Sequence, residues 1–107
     1  MCYQTITMRE LEEYLDGGED MLLIDLRDRA SFSCCHLKAA VNIPYEELET
    51  QVEGLPQNRL LTFYCYRGGQ SMLACNHLSA YGYRVMNIAN GLSAYQGKYL
   101  ERSQNLH

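Results

Sequence analysis

Two short, almost uninterrupted apolar runs, Met21-Leu22-Leu23-Ile24 and Leu60-Leu61-Thr62-Phe63-Tyr64, stand out in a chain whose polar and apolar residues are otherwise mixed. Runs of this length predict strands covered on both faces, the situation of a parallel sheet. Val41-Asn42-Ile43, closed by Pro44, and Arg84 to Ile88 predict two further brief strands. Between them the apolar period changes. Met8, Leu11 and Leu15 follow Thr7-x-x-Glu10, a capping box, and Gly17-Gly18 ends that helix. Ser71 to Tyr81 predicts a helix with Ala74, Cys75, Leu78 and Tyr81 on one face, stopped by Gly82. Arg29 to Phe32 predicts a short helix, Tyr45 to Val52 a helical turn or two, and Leu92 to Leu100 a final helix set off by Gly91. The result is an α/β chain with a mainly parallel sheet of four or five strands and helices on both faces. Sites in such sheets lie at the carboxyl ends of strands, which puts Asp25, Arg27 and Cys65 on one rim.

At 107 residues the chain makes one domain, 1–107, with its core in about 5–99. A net charge of −4 and the lack of any Lys/Arg cluster argue against nucleic acid or an anionic membrane surface as partner. No apolar stretch reaches membrane-spanning length, and Met1-Cys2-Tyr3-Gln4 has no leader character, so a cytoplasmic location is expected. Five cysteines, irregularly spaced, predict reduced thiols rather than a disulfide framework. Cys34-Cys35-His36 superficially suggests metal. With no C-x-x-C pair, and His77 and His107 the only other histidines, two small residues in a tight loop is the better reading, and no metal is expected. A bond between Cys34 and Cys35 would need strained geometry. Cys75, on the apolar face of its helix, reads as core.

The richest chemistry is in Tyr64-Cys65-Tyr66-Arg67-Gly68-Gly69-Gln70-Ser71. A cysteine ends a strand, and a glycine-rich turn leads into a helix. Gly68 and Gly69 permit dihedrals closed to other residues, so backbone N–H groups of residues 66 to 71 can turn toward the sulfur, and the helix start adds partial positive charge. Such a cradle favours a thiolate. A plain buried cysteine is the alternative, and the paired glycines weaken it.

Further motifs occur in a telling order. Asp25-Leu26-Arg27 resembles a D-x-R after the second strand, Phe32 and His36-Leu37 an F…G-H-I segment, and Ala40-Val41-Asn42-Ile43-Pro44 a G-A-x-N-I-P. Cys65-x-x-Gly68-x-x-Ser71 resembles an active-site loop, and Gly82-Tyr83 with Asn90-Gly91-Leu92-x-Ala94-Tyr95 a closing G-Y…G-G-x-x-A-W. Together, from about Thr5 to Tyr99, they resemble the rhodanese-like family.

The resemblance implies a sulfurtransferase of the thiosulfate:cyanide type with Cys65 as nucleophile. Tyr66, Arg67, Gly68, Gly69, Gln70 and Ser71 then form the substrate-binding loop. Cys65 takes sulfur from thiosulfate, a persulfide or a polysulfide and passes it to a thiol, another nucleophile or an acceptor protein, with no metal or organic cofactor. Ser71 either faces the sulfur or caps its helix, and the cap is preferred. Asp25, Arg27 and His36 read as scaffold. Gln70 stands where arginine is frequent in thiosulfate-using members, which removes a cation facing a dianionic donor. Cys35 and Asn90 stand in place of glycines, and Tyr95 in place of tryptophan. Two other readings remain open. A relay or binding module would keep Cys65 without turnover. A phosphatase or arsenate reductase needs C-x5-R, where this chain has Ser71 in place of the arginine.

Overall fold

Strand and helix alternate as the changing apolar period requires. The first half comprises β1 (Gln4–Ile6), α1 (Met8–Asp16), β2 (Leu22–Asp25), α2 (Arg29–Cys34), β3 (Cys35–Leu37) and β4 (Val41–Asn42). A 3-10 turn (Tyr45–Glu47), α3 (Leu48–Gln51), a second 3-10 turn (Val52–Gly54), β5 (Leu61–Tyr64), α4 (Gly69–Ser79), β6 (Val85–Ile88) and β7 (Leu100–Arg102) follow. This computed structural model describes residues 3–102; Met1, Cys2 and 103–107, and with them part of the N-terminal reading and His107, lie outside the described residues.

Five strands form a parallel sheet in the order β1-β6-β5-β2-β4, with β5 and β2 in register from Leu22 opposite Leu61 to Asp25 opposite Tyr64. The strand period of two divides the core between its faces. Ile24, Leu61, Phe63, Cys65 and Val85 pack with Leu48 of α3 and Ala74, Cys75 and Leu78 of α4. Leu23, Tyr64, Met86 and Ile88 pack with Leu11 of α1 and with Leu92. Both faces are therefore covered, which is why the central strands read as continuous apolar runs. The α1 capping box forms as expected: the Thr7 side chain accepts from Glu10 N at 3.1 Å, and Glu10 accepts from Thr7 N at 2.9 Å. Burial drives the Cys75 thiol up to about 12, so it is an inert core group. Among the described residues no helix is long and apolar enough to cross a membrane.

Two sequence expectations about these elements need correction, and two features went unread. Residues 92–99 form turns and bends, not a helix, and the Leu92 and Ser93 N–H groups donate to the carbonyls of Cys65 and Tyr66. Tyr95 then replaces helical bonding with side-chain contacts, its hydroxyl donating to Glu12 and accepting from Tyr99 N at 3.2 Å. The helix after the cysteine loop begins at Gly69, two residues early, and ends at Ser79, so Tyr81 lies beyond it and is exposed rather than on its buried face. Strand β1 was not evident in the sequence. Nor was the antiparallel pair β3–β7, which joins Cys35 to Arg102 and Leu37 to Leu100.

Candidate functional site

Cys65 is the first residue after β5, at the carboxyl edge of the sheet, and only 3% of it is exposed. Gly68 takes φ +101°, a region that strongly favours glycine, and this turns its N–H onto Cys65 Sγ at 3.0 Å. Gly68 is also the N-cap of α4, so the sulfur sits against the positive end of an 11-residue helix. Gly68 N–H is the one loop donor recorded on the sulfur among the described residues, a narrower cradle than a ring of N–H groups from 66 to 71.

Ser71 does not cap the helix. It occupies the third helical position, fully buried, and its hydroxyl donates to the Gly68 carbonyl at 3.1 Å. The same oxygen lies 3.8 Å from Cys65 Sγ as a thiol acceptor. Ser71 therefore ties the cap residue to the sulfur's surroundings, because the glycine N-cap has no side chain to occupy that position.

The loop is held from below by backbone alone. Leu92 N donates to the Cys65 carbonyl at 3.0 Å and Ser93 N to the Tyr66 carbonyl at 2.8 Å. Asn90 and Gly91 make this approach possible with φ +64° and +51°. A Cβ on Gly91 would run into the Cys65 carbonyl oxygen and come within 2.7 Å of that of Tyr66. Asn90 at a left-handed position agrees with its reading as a tolerated glycine replacement.

Asp25, Arg27 and His36 brace the neighbouring segments. Arg27 Nη2 donates to Asp25 Oδ2 at 2.8 Å and to the Cys35 carbonyl at 2.5 Å, while Arg27 Nε reaches Asp25 Oδ1 at 3.1 Å. Burial works against the guanidinium's charge, yet the Asp25 carboxylate outweighs it and holds the pKa above its ordinary value. The Asp25 side chain is fully buried, so removing its partner would cost on the order of 3–5 kcal/mol. Asn42 Nδ2 closes the corner on the carbonyls of Asp25 and Arg27 at 3.0 and 2.9 Å. His36 stacks on Phe32 at 3.9 Å, and its ring nitrogens meet the Phe32 carbonyl at 2.7 Å and Glu101 at 3.3 Å. Tyr64 Oη accepts from Leu37 N at 3.0 Å. Burial, reinforced by the charge of Asp25, pushes the Tyr64 phenol well above its usual range and keeps it protonated.

A cavity of about 400 Å³ opens beside the loop, with Tyr66 and Gln70 on one side and Arg27, Cys34 and Cys35 on the other. Arg27, read from the sequence as scaffold, does brace Asp25 and the Cys35 carbonyl, and it also lines this cavity, as its position after a strand on the same rim signalled. Arg67 is exposed with its guanidinium 5.5 Å from the Tyr66 ring centroid. Cys34 is exposed, Cys35 half-buried, and both are free thiols. Gly69 opens α4 on the exposed side of the loop. Among the described residues no group of three or more His, Cys, Asp or Glu converges as metal ligands.

Comparison with known proteins agrees with this arrangement. The Rhodanese-like domain profile matches residues 7–98. YtwF of Bacillus subtilis, named for a sulfurtransferase role, is 27% identical over 98 residues, spanning 92% of this chain and 95% of that protein. A sulfurtransferase of Allochromatium vinosum is 31% identical over 91 residues, 84% and 85% of the two chains. The rhodanese-like domain protein of Staphylococcus aureus superposes with a TM-score of 0.84 over 94% of this chain and 99% of its own, at 22% identity, a likeness of fold. Other relatives carry sulfurtransferase and sulfur-carrier names, which supports a sulfurtransferase or sulfur-relay role. The chain belongs to the rhodanese-like domain family.

Proposed function

We propose that the protein moves a sulfane sulfur from thiosulfate, a persulfide or a polysulfide to a thiol or other nucleophile through a persulfide on Cys65. The observation that carries this reading is the Gly68 N–H directed onto Cys65 Sγ at 3.0 Å, at the point where β5 gives way to α4. In the first half, the Cys65 thiolate attacks the outer sulfur of the donor. The Sγ–S bond forms as the donor's S–S bond breaks, and the electron pair leaves with sulfite or a thiolate. In the second half, cyanide or a thiolate attacks the terminal sulfur, and the pair returns to Cys65. The Gly68 N–H and the start of α4 favour the anion at both stages, as preorganised donors do at an oxyanion. A phosphatase reading lacks its arginine: the sixth residue after Cys65 is Ser71, buried and bonded to Gly68.

Intact mass spectrometry after thiosulfate or polysulfide treatment, with peptide mapping, tests the proposal. One added sulfur on Cys65, lost to cyanide and missing in Cys65→Ser, is expected. If Cys65→Ser carries the same labile sulfur at the parent's level, Cys65 is not the nucleophile. More than one thiocyanate released per chain separates a catalyst from a one-shot carrier.

A further inference from the structure

The cavity at the loop does not end there. Glu46 lines both it and a larger space of about 640 Å³ between α4 and the Tyr45–Gln51 segment. Glu49 and His77 line that space and also a third, of about 300 Å³, beyond it. Sharing wall residues in turn, the three spaces form a row, termed the trough, that starts beside the cysteine loop and follows α4.

Exposed apolar side chains are concentrated along it. Tyr66 in the first section, Leu73 in the second and Tyr81 in the third are 49%, 51% and 61% exposed, and each is among the few large apolar residues left open to solvent. Gln70, Leu73 and His77 recur at helical spacing, so α4 turns a second stripe, flanking its buried one, toward the trough.

The opposite wall is acidic. Among the described residues Glu47 is paired with Arg29, but Glu46, Glu49 and Glu53 have no ion pair, and Glu49 and Glu53 both line the far section. Arg27, at the loop end, is already neutralised by Asp25. The trough follows α4 from Gln70 to Ser79, roughly 14 Å at the helical rise, and continues to Tyr81 beyond it, which together accommodate about five residues of extended chain.

The geometry points to a docking surface for the sulfur-accepting protein: an extended segment of about five residues, cationic and bearing apolar side chains, that brings a thiol to the mouth of the Cys65 loop. This rests on Cys65 as the sulfur carrier. The unpaired carboxylates select the charge, the exposed apolar residues supply the contact area, and continuity with the loop cavity places the thiol end.

Two fluorescein-labelled peptides test it, each with one cysteine and two leucines, one carrying three lysines and the other three glutamates. Binding is followed by anisotropy on the unmodified protein, and sulfur transfer by single-turnover decay of the Cys65 persulfide. The lysine peptide is expected to bind and accept sulfur roughly tenfold better at low ionic strength, with the advantage shrinking as salt rises. Glu49→Gln/Glu53→Gln should weaken the lysine peptide several-fold, and Leu73→Ser should weaken both peptides. Turnover with cyanide should stay at the parent level in each variant, because none of these residues lines the loop cavity. Equal behaviour of the two peptides, or an unchanged lysine peptide in Glu49→Gln/Glu53→Gln, would overturn the proposal. So would sedimentation showing the trough closed by a second copy of the chain that Leu73→Ser releases. Anisotropy does not depend on the persulfide, so failure of docking is distinguishable from failure of Cys65 as carrier.

Discussion

Replacing Gly91 with alanine probes the link between fold and site most directly. The residue sits at φ +51°, where an alanine costs roughly 1–2 kcal/mol. Its Cβ would also overlap the Cys65 carbonyl oxygen and press on that of Tyr66 at 2.7 Å. Relief requires the turn to withdraw, which stretches the Leu92 and Ser93 hydrogen bonds of 3.0 and 2.8 Å. Each is worth about 1 kcal/mol net. The sum is on the order of 4 kcal/mol, and at about 4 °C per kcal/mol for a domain of this size it lowers Tm by roughly 15 °C. A second effect acts on the folded fraction. The two carbonyls fix the course of the loop that aims Gly68 N–H at the sulfur, so persulfide formation well below Tm should also slow. Asn90→Gly is the control, since Asn90 already holds φ +64° and glycine accepts it without strain. Thermal unfolding by circular dichroism and single-turnover sulfur loading read the two effects separately. A Gly91→Ala protein that melts within about 3 °C of the parent and loads sulfur at the parent's rate would refute the argument that this turn supports the loop.

Two further outcomes are expected. Gln70→Arg adds a cation at the loop cavity, so KM for thiosulfate should fall several-fold at low salt while a monoanionic persulfide donor changes little; an unchanged KM in a variant that still loads sulfur would mean that position 70 does not face the donor. The Asp28 carboxylate caps α2 by accepting from Ser31 N at 2.7 Å, and this bond holds its pKa below the ordinary value. A carboxylate depressed in the folded state contributes stability above its unfolded value, about 4, and loses it as pH falls through the folded one. Asp28→Asn keeps a capping oxygen without titrating, so its Tm should drop less than the parent's between pH 5 and 3; identical pH profiles would deny the cap its titration.

Where the sequence was legible, a local signal and the tertiary structure agreed. The apolar runs of β2 and β5, the α1 capping box and the strand–cysteine–glycine order around Cys65 each carry their own physical reason, and each is in place. What escaped depends on partners far along the chain. Gln4-Thr5-Ile6 buries one side chain and becomes a strand only by pairing with β6. The β3–β7 pair joins segments more than 60 residues apart, and neither alternates clearly. Residues 92–100 have helical spacing, but their backbone bonding departs from a helix: Tyr95 N donates to the Leu92 carbonyl three residues back, and Tyr99 N to the Tyr95 hydroxyl, partners that apolar spacing does not reveal. Tyr66, Gln70 and Cys65 come from one continuous motif, which the structure keeps as a single strand-to-helix loop. Arg27 was legible on the same rim from its place after a strand, whereas Cys34 and Cys35 were brought beside Tyr66 and Gln70 by the fold, since nothing in their spacing indicates which loop they face.

The manner in which the loop is held bears on how its chemistry can vary. Cys65 is fixed by β5 before it, by the Gly68 N–H and the start of α4 after it, and by the Asn90–Gly91 turn beneath it. Those contacts come from backbone groups, with Ser71 the one buried side chain of the loop that joins them. Tyr66, Arg67 and Gln70 point outward and make none of them. The conformation that presents the sulfur is therefore insensitive to what those three side chains are, whereas the field and contacts at the cavity mouth depend on them. On the proposed sulfur transfer, an altered donor or acceptor preference arises there at little cost in stability, because an exposed substitution away from caps and cores shifts folding free energy by about 0.5 kcal/mol or less. Changes at Gly68, Ser71 or Gly91 have no such freedom: each would move the sulfur before it moved the specificity.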